Sequence, residues 1–326
     1  MTYSEEILRR AKTRLEEARQ ERMHENETRI AAIYSRVPRL GEIDAELRRT
    51  AAKVMAAAFQ SGGDPGEAVA KLRAENQSLQ REREWILESE GIDPTDLEDD
   101  PICPVCGGSG YVGERMCECL RELCRQEQKK ELSTVLPNTK ETFENFRLSY
   151  YAAADEPGQA SPRELMQMVL TKCRRYAQSF SLKSPSLLFS GGTGLGKTFL
   201  SAAVARTVAD AGFSVVYETA VRVFSDYENV KFGDGDSRSV RRYTACDLLI
   251  LDDLGTEMTT QFTQSALYSV VNDRMLAGLP AIISTNLTTD EIRRRYTPQI
   301  ASRLLGGYDL VLFCGKDIRL LQKQMG

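Results

Sequence analysis

The sequence predicts an α/β fold in which helices cover both faces of a five-stranded parallel sheet, preceded by a helical region and a small cysteine-rich module. Three observations predict it. Short apolar runs alternate with helical patterns in the C-terminal half, charged amphipathic stretches fill the N-terminal part, and five of the eight cysteines lie between Cys103 and Cys124. Buried parallel strands read as continuous apolar runs because both faces of their sheet are covered. We therefore predict a helical partner-binding region at 1–98, a cysteine-rich module with a helix at 99–135, and an α/β domain at 136–326.

The N-terminal region carries apolar residues at helical spacing in three stretches, at about 3–36, 43–59 and 67–89. Pro38 separates the first two stretches, and the turn-rich segment 61–66 separates the last two. The expected inner stripe of the third stretch is Leu72, Leu79, Trp85 and Ile86. Amphipathic helices of this kind bury their stripes against one another in a bundle or a coiled-coil hairpin. The region is either a self-packed domain or a partner-docking module, and the sequence leaves both interpretations open.

Five apolar runs predict the strands of the sheet. They are Ser186–Ser190, Phe213–Glu218, Asp247–Asp253, Ala281–Asn286 and Asp309–Cys314. Helical patterns between these runs supply the crossover connections that parallel strands require. The sequence ends at Gly326, soon after the fifth run, so we expect no C-terminal helical lid.

Composition excludes two classes of protein. A net charge of -4 and a pI of about 5.5 exclude a globally basic nucleic-acid coat, so any DNA binding would use a local basic surface. No run approaches the roughly 18 apolar residues of a membrane span, and the charged N-terminus lacks the apolar core of a signal peptide. We therefore expect a cytoplasmic protein with no membrane partner. Because a reducing cytoplasm disfavours disulfides, the clustered cysteines indicate a metal site.

Residues Gly191–Thr198 match the phosphate-binding pattern G-x-x-x-x-G-K-[ST] at every position, between a predicted strand and a predicted helix. The glycines let the backbone curl so that its N–H groups face phosphate oxygens at a helix N-terminus. We expect Lys197 to contact the β- and γ-phosphates of ATP, and the Thr198 hydroxyl to bind Mg²⁺. The expected nucleotide-contacting residues are Gly191, Gly192, Thr193, Gly194, Leu195, Gly196, Lys197, Thr198 and Phe199.

Two carboxylates end the third predicted strand. We expect Asp252 to hold Mg²⁺ through water, and Asp253 to orient or polarise the attacking water. Asn286, at the end of the next strand, is a candidate for positioning that water, although Asn is also common where a turn begins. Arg303 is either a residue that reaches the γ-phosphate of a neighbouring subunit or an ordinary surface arginine. Arg319 is either a phosphate contact within the same chain or a surface residue.

Cys103 and Cys106 form a C-x2-C pair followed by glycines, and Cys117 and Cys119 supply two more sulfurs after a short loop. Four thiolates suit a structural Zn²⁺ with no open coordination position, so we expect no catalysis there. Cys124 is an alternative member of the second pair. The competing interpretation is a set of redox-active or free thiols.

Six segments of the sequence occur in a particular order: Phe143–Phe146, Gly191–Thr198, Asp247–Glu257, Ile283–Leu287, Ser302–Leu304 and Gly315–Arg319. This order resembles that of the DnaC/DnaI-type helicase loaders, a branch of the AAA+ ATPases that also includes IstB-like transposition ATPases. The resemblance is strong over 137–326, moderate in the cysteine cluster, and only general in the N-terminal region. It implies an AAA+ domain that binds ATP and single-stranded DNA and self-associates, and an N-terminal region that binds a replicative DnaB-type helicase.

The resemblance also implies roles for individual residues. Asp252 and Asp253 match the Walker B element, Asn286 matches sensor 1, Arg303 the arginine finger, and Arg319 sensor 2. AAA+ proteins usually have Glu where Asp253 stands, and the side chain that is one methylene shorter predicts slow hydrolysis.

Basic and aromatic residues between the second and third strands form a hypothetical surface for single-stranded DNA. They are Lys231, Phe232, Arg238, Arg241 and Arg242. The alternative is a solvated basic helix face.

The predicted function is therefore an ATP-dependent loader of the replicative helicase. One alternative is an IstB-like transposition-helper ATPase; the cysteine cluster argues against it, because those relatives generally pass directly from short helices to the ATPase core. The other alternative is a non-hydrolysing adaptor switched by ATP, against which the complete set of hydrolytic residues argues.

Overall fold

The computed structural model describes residues 3–59, 65–136, 140–153, 161–233 and 235–325, so most of the turn predicted at 61–66 lies outside the described residues. The chain divides into two compact units, one of Thr13–Cys117 and one of Met1–Lys12 with Glu118–Gly326. The functional division at residues 98 and 135 stays a prediction.

The helices of the described residues are α1 (Glu5–Arg36), α2 (Pro38–Phe59), α3 (Pro65–Glu90), α4 (Glu118–Val135), α5 (Pro162–Gln178), α6 (Lys197–Asp210), α7 (Ala220–Phe232), α8 (Ser237–Ala245), α9 (Gln261–Ala277), α10 (Thr289–Arg295), α11 (Pro298–Gly307) and α12 (Ile318–Met325). The strands are β1 (Tyr111–Val112), β2 (Arg115–Met116), β3 (Leu187–Ser190), β4 (Val215–Thr219), β5 (Leu248–Leu254), β6 (Ala281–Thr285) and β7 (Asp309–Leu312). Across the described parts of the chain, no helix is both long and apolar enough to cross a membrane.

The smaller unit is helical, as predicted, and has its own apolar core. That core consists of Leu40, Ile43, Ile86, Leu87 and Ile92, which lie on and beside α2 and α3. An ion pair between Arg83 and Asp44, 2.7 Å long, also joins these two helices. The predicted inner stripe of α3 was wrong at Trp85, which is 68% exposed. The packed face of the helix contains Ile86, as predicted, and Leu87 in place of Trp85.

The five predicted strands of the larger unit are confirmed, with ends that differ by one or two residues from the apolar runs. All five pair in parallel, in the order β4-β5-β6-β3-β7. The carboxyl ends of β3, β5 and β6 therefore meet at the same edge, where ligands bind in open parallel sheets. The strand order thus places the phosphate-binding loop at the same edge as the carboxylates near the end of β5, with one strand, β6, between them.

Two apolar cores lie on opposite faces of this sheet, as the three-layer prediction requires. Leu187 and Phe189 of β3 pack into the core shared with α5 and α6, whereas Leu188, between them, packs into the core shared with α7 and α9. Successive side chains of a strand point to opposite faces, so one apolar run supplies both cores.

The first turns of α1 belong to the larger unit. Tyr3 and Ile7 are buried, and the Tyr3 hydroxyl donates to the Gly212 carbonyl oxygen at 2.8 Å. Nearby, Arg10 forms an ion pair of 2.7 Å with Glu131 of α4. The α/β unit therefore includes a segment that lies more than one hundred residues before its other elements.

Replacing Ile7 by alanine is expected to lower the free energy of unfolding of the α/β unit by about 2–5 kcal/mol, because truncating a buried aliphatic side chain leaves a cavity. Urea unfolding monitored in the presence and absence of ATP would isolate the transition of that unit. Met23→Ala is the matched control, since Met23 lies on the same helix but is exposed, and it should cost less than about 0.5 kcal/mol. Equal stability of the two variants would contradict the assignment.

Candidate nucleotide-binding site

The phosphate-binding loop connects β3 to α6, and its glycines are required by close packing. Gly194 and Gly196 have φ of 69° and 87°, which side chains other than glycine rarely adopt. A Cβ atom on Gly191 would overlap the Phe313 carbonyl oxygen, and one on Gly194 would overlap the Asp317 carboxylate. The backbone itself, with its N–H groups, therefore lines the site.

Two other segments hold this loop in place. The Tyr151 hydroxyl donates to the Leu195 carbonyl oxygen at 2.9 Å, and the Phe146 ring stacks against Tyr151, close to Gly196. On the other side, the Ile318 N–H donates to the Gly194 carbonyl oxygen at 3.0 Å. Segments 143–146 and 315–319, which the resemblance singled out, thus lie on or beside the loop.

Lys197, the first residue of α6, is buried, with 6% of its surface exposed. Its ammonium donates to the carbonyl oxygens of Gly191 and Gly192, at 2.7 Å each. Desolvation lowers the pKa of Lys197, and the negative charges of Asp253 and Asp252 partly oppose that shift. A buried cation with carbonyl partners is suited to bind an anion. Thr198 and Phe199 follow it on α6, where the Phe199 ring contacts Phe146 edge to face.

Asp252 is 3% exposed and is held by two hydroxyl groups. The Tyr217 hydroxyl, from β4, donates to Asp252 Oδ2 at 2.6 Å, and the Ser284 hydroxyl, from β6, donates to Asp252 Oδ1. Sequence reasoning missed both residues. Ser284 lies two residues before the candidate sensor Asn286, but no pattern in the sequence distinguishes Tyr217 from an ordinary core tyrosine.

Asp253 has an unusual backbone conformation, with φ of 55°, the single non-glycine residue in the left-handed region within the described parts of the chain. Aspartate tolerates this region better than most residues, and such conformations concentrate at functional sites. Its N–H donates to Ser284 Oγ at 3.0 Å. Although the residue is exposed, desolvation at the sheet edge, followed by the charge of Asp252, raises the pKa of Asp253, and Lys197 and Arg319 oppose the shift.

If Asp253 orients the attacking water, as predicted from the sequence, the acid limb of ATP hydrolysis is expected to lie above the ordinary pKa of aspartate, because that role requires an ionised carboxylate and the pKa of Asp253 is raised. Activity should therefore fall as the pH decreases through that raised value. In Asp253→Asn, the residual hydrolysis should lose this limb. Asp236→Asn is the control, since Arg238 lowers the pKa of that exposed carboxyl. A limb that persists in Asp253→Asn would assign it to another group.

Asn286 and Arg319 both lie at this edge of the sheet. Asn286 directly follows β6, is exposed, and its Oδ1 is close to Gly255, just beyond β5. Arg319 is the second residue of α12. Its positive charge adds to the desolvation that lowers the pKa of Lys197, and it opposes the desolvation that raises the pKa of Asp253. Both positions are compatible with the predicted sensor roles, which stay predictions.

Arg303, on α11, is engaged by its own chain. Its guanidinium lies 4.4 Å from the centre of the Tyr268 ring and donates to the Tyr268 hydroxyl at 2.8 Å. Asn272 Oδ1 accepts from Arg303 Nε at 3.2 Å and from Nη2 at 3.0 Å. The structure does not bring this arginine to the nucleotide site of the same chain, and its action on a neighbouring subunit stays a prediction.

The hypothetical DNA surface is divided in the structure. Phe232 is 67% exposed, and Arg238 and Arg241 are also exposed. Arg242 instead donates to Glu218 at 3.2 Å and to Asp226 at 3.3 Å, so its charge is neutralised within the chain. Arg242 is therefore removed from the hypothesis.

The cysteine cluster forms a separate candidate site. The sulfurs of Cys103, Cys106, Cys117 and Cys119 lie within 4.8 Å of one another, and the Cys103 and Cys117 sulfurs are 3.8 Å apart. Sulfurs on tetrahedral zinc are about 3.8 Å apart, as follows from Zn–S bonds of about 2.3 Å. The Gly110 N–H donates to Cys106 Sγ at 3.3 Å, as amides do to thiolates. This donor set fits zinc.

Cys124 is not a member of this group. It is fully buried in α4, and burial raises the pKa of its thiol to about 11. Its sulfur does not lie with the other four in this structure. The structure thus gives Cys103, Cys106, Cys117 and Cys119, without Cys124, as the candidate zinc ligands.

The residues at the sheet edge also fit a magnesium nucleotide. Asp252 is a buried carboxylate that forms no ion pair with the described residues, and a bound cation would supply that missing charge. The curled loop offers N–H groups to phosphate, as described above, and Lys197 offers a cation. Thr198 and Asp252 are the residues that would hold Mg²⁺.

Comparison with known proteins agrees with this site. The family model of the IstB-like ATP binding protein matches residues 120–307, more than half of the chain. The replicative helicase loader DnaC of Escherichia coli is 24% identical over 143 residues, which cover 43% of this chain and 58% of DnaC. An ATP-binding protein in an insertion sequence of Mycobacterium tuberculosis is 31% identical over 101 residues, which cover 31% of this chain and 40% of that protein. The chain thus spans less than two thirds of the length of either relative.

Among solved structures, the crystal structure of the DnaC helicase loader aligns with a TM-score of 0.44 at 17% identity, covering 53% of this chain and 98% of that chain. The family match includes the phosphate-binding loop, the β5 carboxylates and Asn286. By this match, and by the α/β fold that carries it, the chain belongs to the IstB-like ATP-binding protein family.

Proposed function

We propose that this protein is an ATP-dependent loader that places a replicative DnaB-type helicase on single-stranded DNA, and that it hydrolyses ATP in doing so. The observation that carries the proposal is the convergence of Lys197, Asp252 and Asp253 at one edge of the sheet, in a chain with DnaC among its relatives. The electrostatic effects between these three groups support their assignment to one site.

The geometry supports a hydrolytic mechanism. Loop N–H groups and Lys197 hold the phosphates, and Asp253 orients the attacking water from its exposed position. Mg²⁺, when held by Thr198 and Asp252, would neutralise charge that develops on the phosphoryl oxygens. Asn286 positions the water, and Arg319 contacts the phosphates from α12.

Hydrolysis is proposed to be slow in the isolated chain. Asp253 has a shorter side chain than the usual glutamate, and Arg303 is docked on Tyr268 and Asn272. In an assembly, Arg303 would leave these partners to neutralise charge at the site of a neighbouring subunit. Assembly on DNA or on the helicase would then stimulate turnover.

Partner binding is assigned to the N-terminal part of the chain. The three-helix unit and the four-cysteine module would contact the helicase, with zinc holding the module together. The exposed residues Lys231, Phe232, Arg238 and Arg241 would contact single-stranded DNA through stacking and backbone neutralisation. The site of action would be the cytoplasm.

A transposition-helper ATPase is the second candidate. It is favoured by the 31% identity to a protein encoded in an insertion sequence. The four-cysteine group supports the loader instead, since the relatives of the transposition type generally lack such a module. A non-hydrolysing adaptor is a third candidate, against which the complete set of predicted hydrolytic residues argues.

The deciding experiment combines the full-length protein with the replicative helicase of its source cell, circular single-stranded DNA and ATP. Helicase retained on the DNA is measured by gel filtration, and phosphate release is measured in parallel, with Lys197→Ala as the nucleotide-site control. ATP-dependent retention would support the loader. DNA-stimulated hydrolysis without retention would favour the transposition helper, and retention without any hydrolysis would favour the adaptor.

A further inference from the structure

Asp252 is held on both sides by residues of the two neighbouring strands. β5 lies between β4 and β6, so Tyr217 approaches the carboxylate from one side and Ser284 from the other. Each hydroxyl donates to a different carboxylate oxygen. Rotation of the carboxylate would break both hydrogen bonds, which fixes its plane.

We propose that Tyr217 is a positioning residue, which acts with Ser284 to hold the Asp252 carboxylate in the orientation that suits the divalent cation of the nucleotide. The inference rests on the proposed ATP site and deepens it. It assigns a function to a tyrosine that the motifs of the sequence do not mark.

Asp252 is 3% exposed and forms no ion pair with the described residues, so its oxygens need hydrogen-bond donors within the protein. Hydrogen bonds to a carboxylate are strong, and one donor on each oxygen holds the group in a single orientation. Because a carboxylate has about four acceptor positions, two donors leave room for a metal ion or its bound water.

Tyr217 is the more informative of the two donors. Ser284 Oγ also accepts the Asp253 N–H, so a change at Ser284 affects both acidic residues. The Tyr217 hydroxyl donates to Asp252, and its ring packs in the core on the α5–α6 side of the sheet. Tyr217→Phe removes the hydroxyl and keeps the ring, and thereby isolates the effect on Asp252.

Tyr243 offers a matched control. It is also a buried tyrosine whose hydroxyl donates to a buried carboxylate, Asp226, at 2.5 Å. That pair lies between α7 and α8 and includes no residue assigned to the nucleotide site. Tyr243→Phe therefore removes a buried tyrosine hydroxyl that donates to a carboxylate, here one that Arg242 also contacts, and reports the structural cost of such a change.

The test measures equilibrium binding of a fluorescent, non-hydrolysable ATP analogue as Mg²⁺ is titrated, and again in EDTA. In Tyr217→Phe the Mg²⁺ concentration that gives half of the binding enhancement should rise about tenfold, the effect of losing one charge-assisted hydrogen bond. Affinity in EDTA should change less than about twofold, because Lys197 and the loop remain. Tyr243→Phe should lower the melting temperature to a similar extent without changing the Mg²⁺ midpoint.

Two results would overturn the inference, and they are distinguishable. An unchanged Mg²⁺ midpoint in folded Tyr217→Phe would show that the hydroxyl is structural only, and would leave the proposed ATP site intact. Absence of any Mg²⁺ effect in the wild-type protein would overturn the ATP site and this inference together. Should Tyr217→Phe not fold, Ser284→Ala removes the donor to the other oxygen, and an unchanged midpoint there would also overturn the inference.

Discussion

Replacing Lys197 by alanine is expected to weaken ATP binding roughly 100-fold or more and to abolish hydrolysis. The ammonium is buried, its pKa is lowered by desolvation, and its hydrogen-bond partners are two loop carbonyl oxygens rather than carboxylates. A bound phosphate would provide the countercharge. Losing one member of a buried charge pair costs about 3–5 kcal/mol. Equilibrium titration with a fluorescent ATP analogue measures the change directly.

The control for this prediction is Lys183→Ala. Lys183 lies on the same unit, before β3, but is exposed, so its loss should leave ATP affinity within about twofold of the wild-type value. Thermal unfolding of both variants without nucleotide should be similar to that of the wild-type protein. If Lys197→Ala bound ATP as tightly as Lys183→Ala, the loop would not be the phosphate site.

Replacing Cys103 by serine is expected to remove zinc from the protein and to unfold the segment between Cys103 and Cys119. The four sulfurs lie at distances that suit one tetrahedral ion. Apparent zinc-binding free energies in small modules are about 10–16 kcal/mol, so the ion would dominate the stability of the two-residue strands β1 and β2. The measurement is zinc content by mass spectrometry, with hydrogen exchange over the segment.

Cys124→Ser is the matched control for the zinc prediction. Cys103 and Cys124 are both buried, but only Cys103 belongs to the four-sulfur group. Cys124→Ser should retain one zinc per chain, and a strong chelator should act on the wild-type protein as Cys103→Ser does. Wild-type protein purified without chelator and free of zinc would contradict the prediction, as would loss of zinc from Cys124→Ser.

Patterns that are local in the sequence predicted most of the architecture. Each apolar run became a strand, because a strand buried on both faces needs apolar residues at every position. The loop Gly191–Thr198 and the two carboxylates near the end of β5 were also predicted, because the spacing of residues within one segment marks each of them. The cysteine spacing likewise predicted four sulfurs that the structure brings together, and Cys124 lies outside that group.

Features that depend on packing between distant segments could not be predicted in this way. Trp85 is exposed because the packed face of α3 runs through its neighbours, and Arg242 is neutralised because α8 lies near Glu218 at the end of β4. Tyr3 and Ile7 join the α/β unit, although no composition shift after residue 12 indicates a boundary. Each of these outcomes depends on which elements become neighbours.

The sequence by itself therefore determined the fold class, the phosphate-binding loop, the pair of acidic residues and the four-cysteine group. The tertiary structure decided how the acidic residues are held. Tyr217 and Asp252 are 35 positions apart, and they meet because β4 pairs with β5 in the sheet. Strand order is set by the packing of two apolar cores on opposite faces of the sheet, a long-range property that spacing along the chain does not encode.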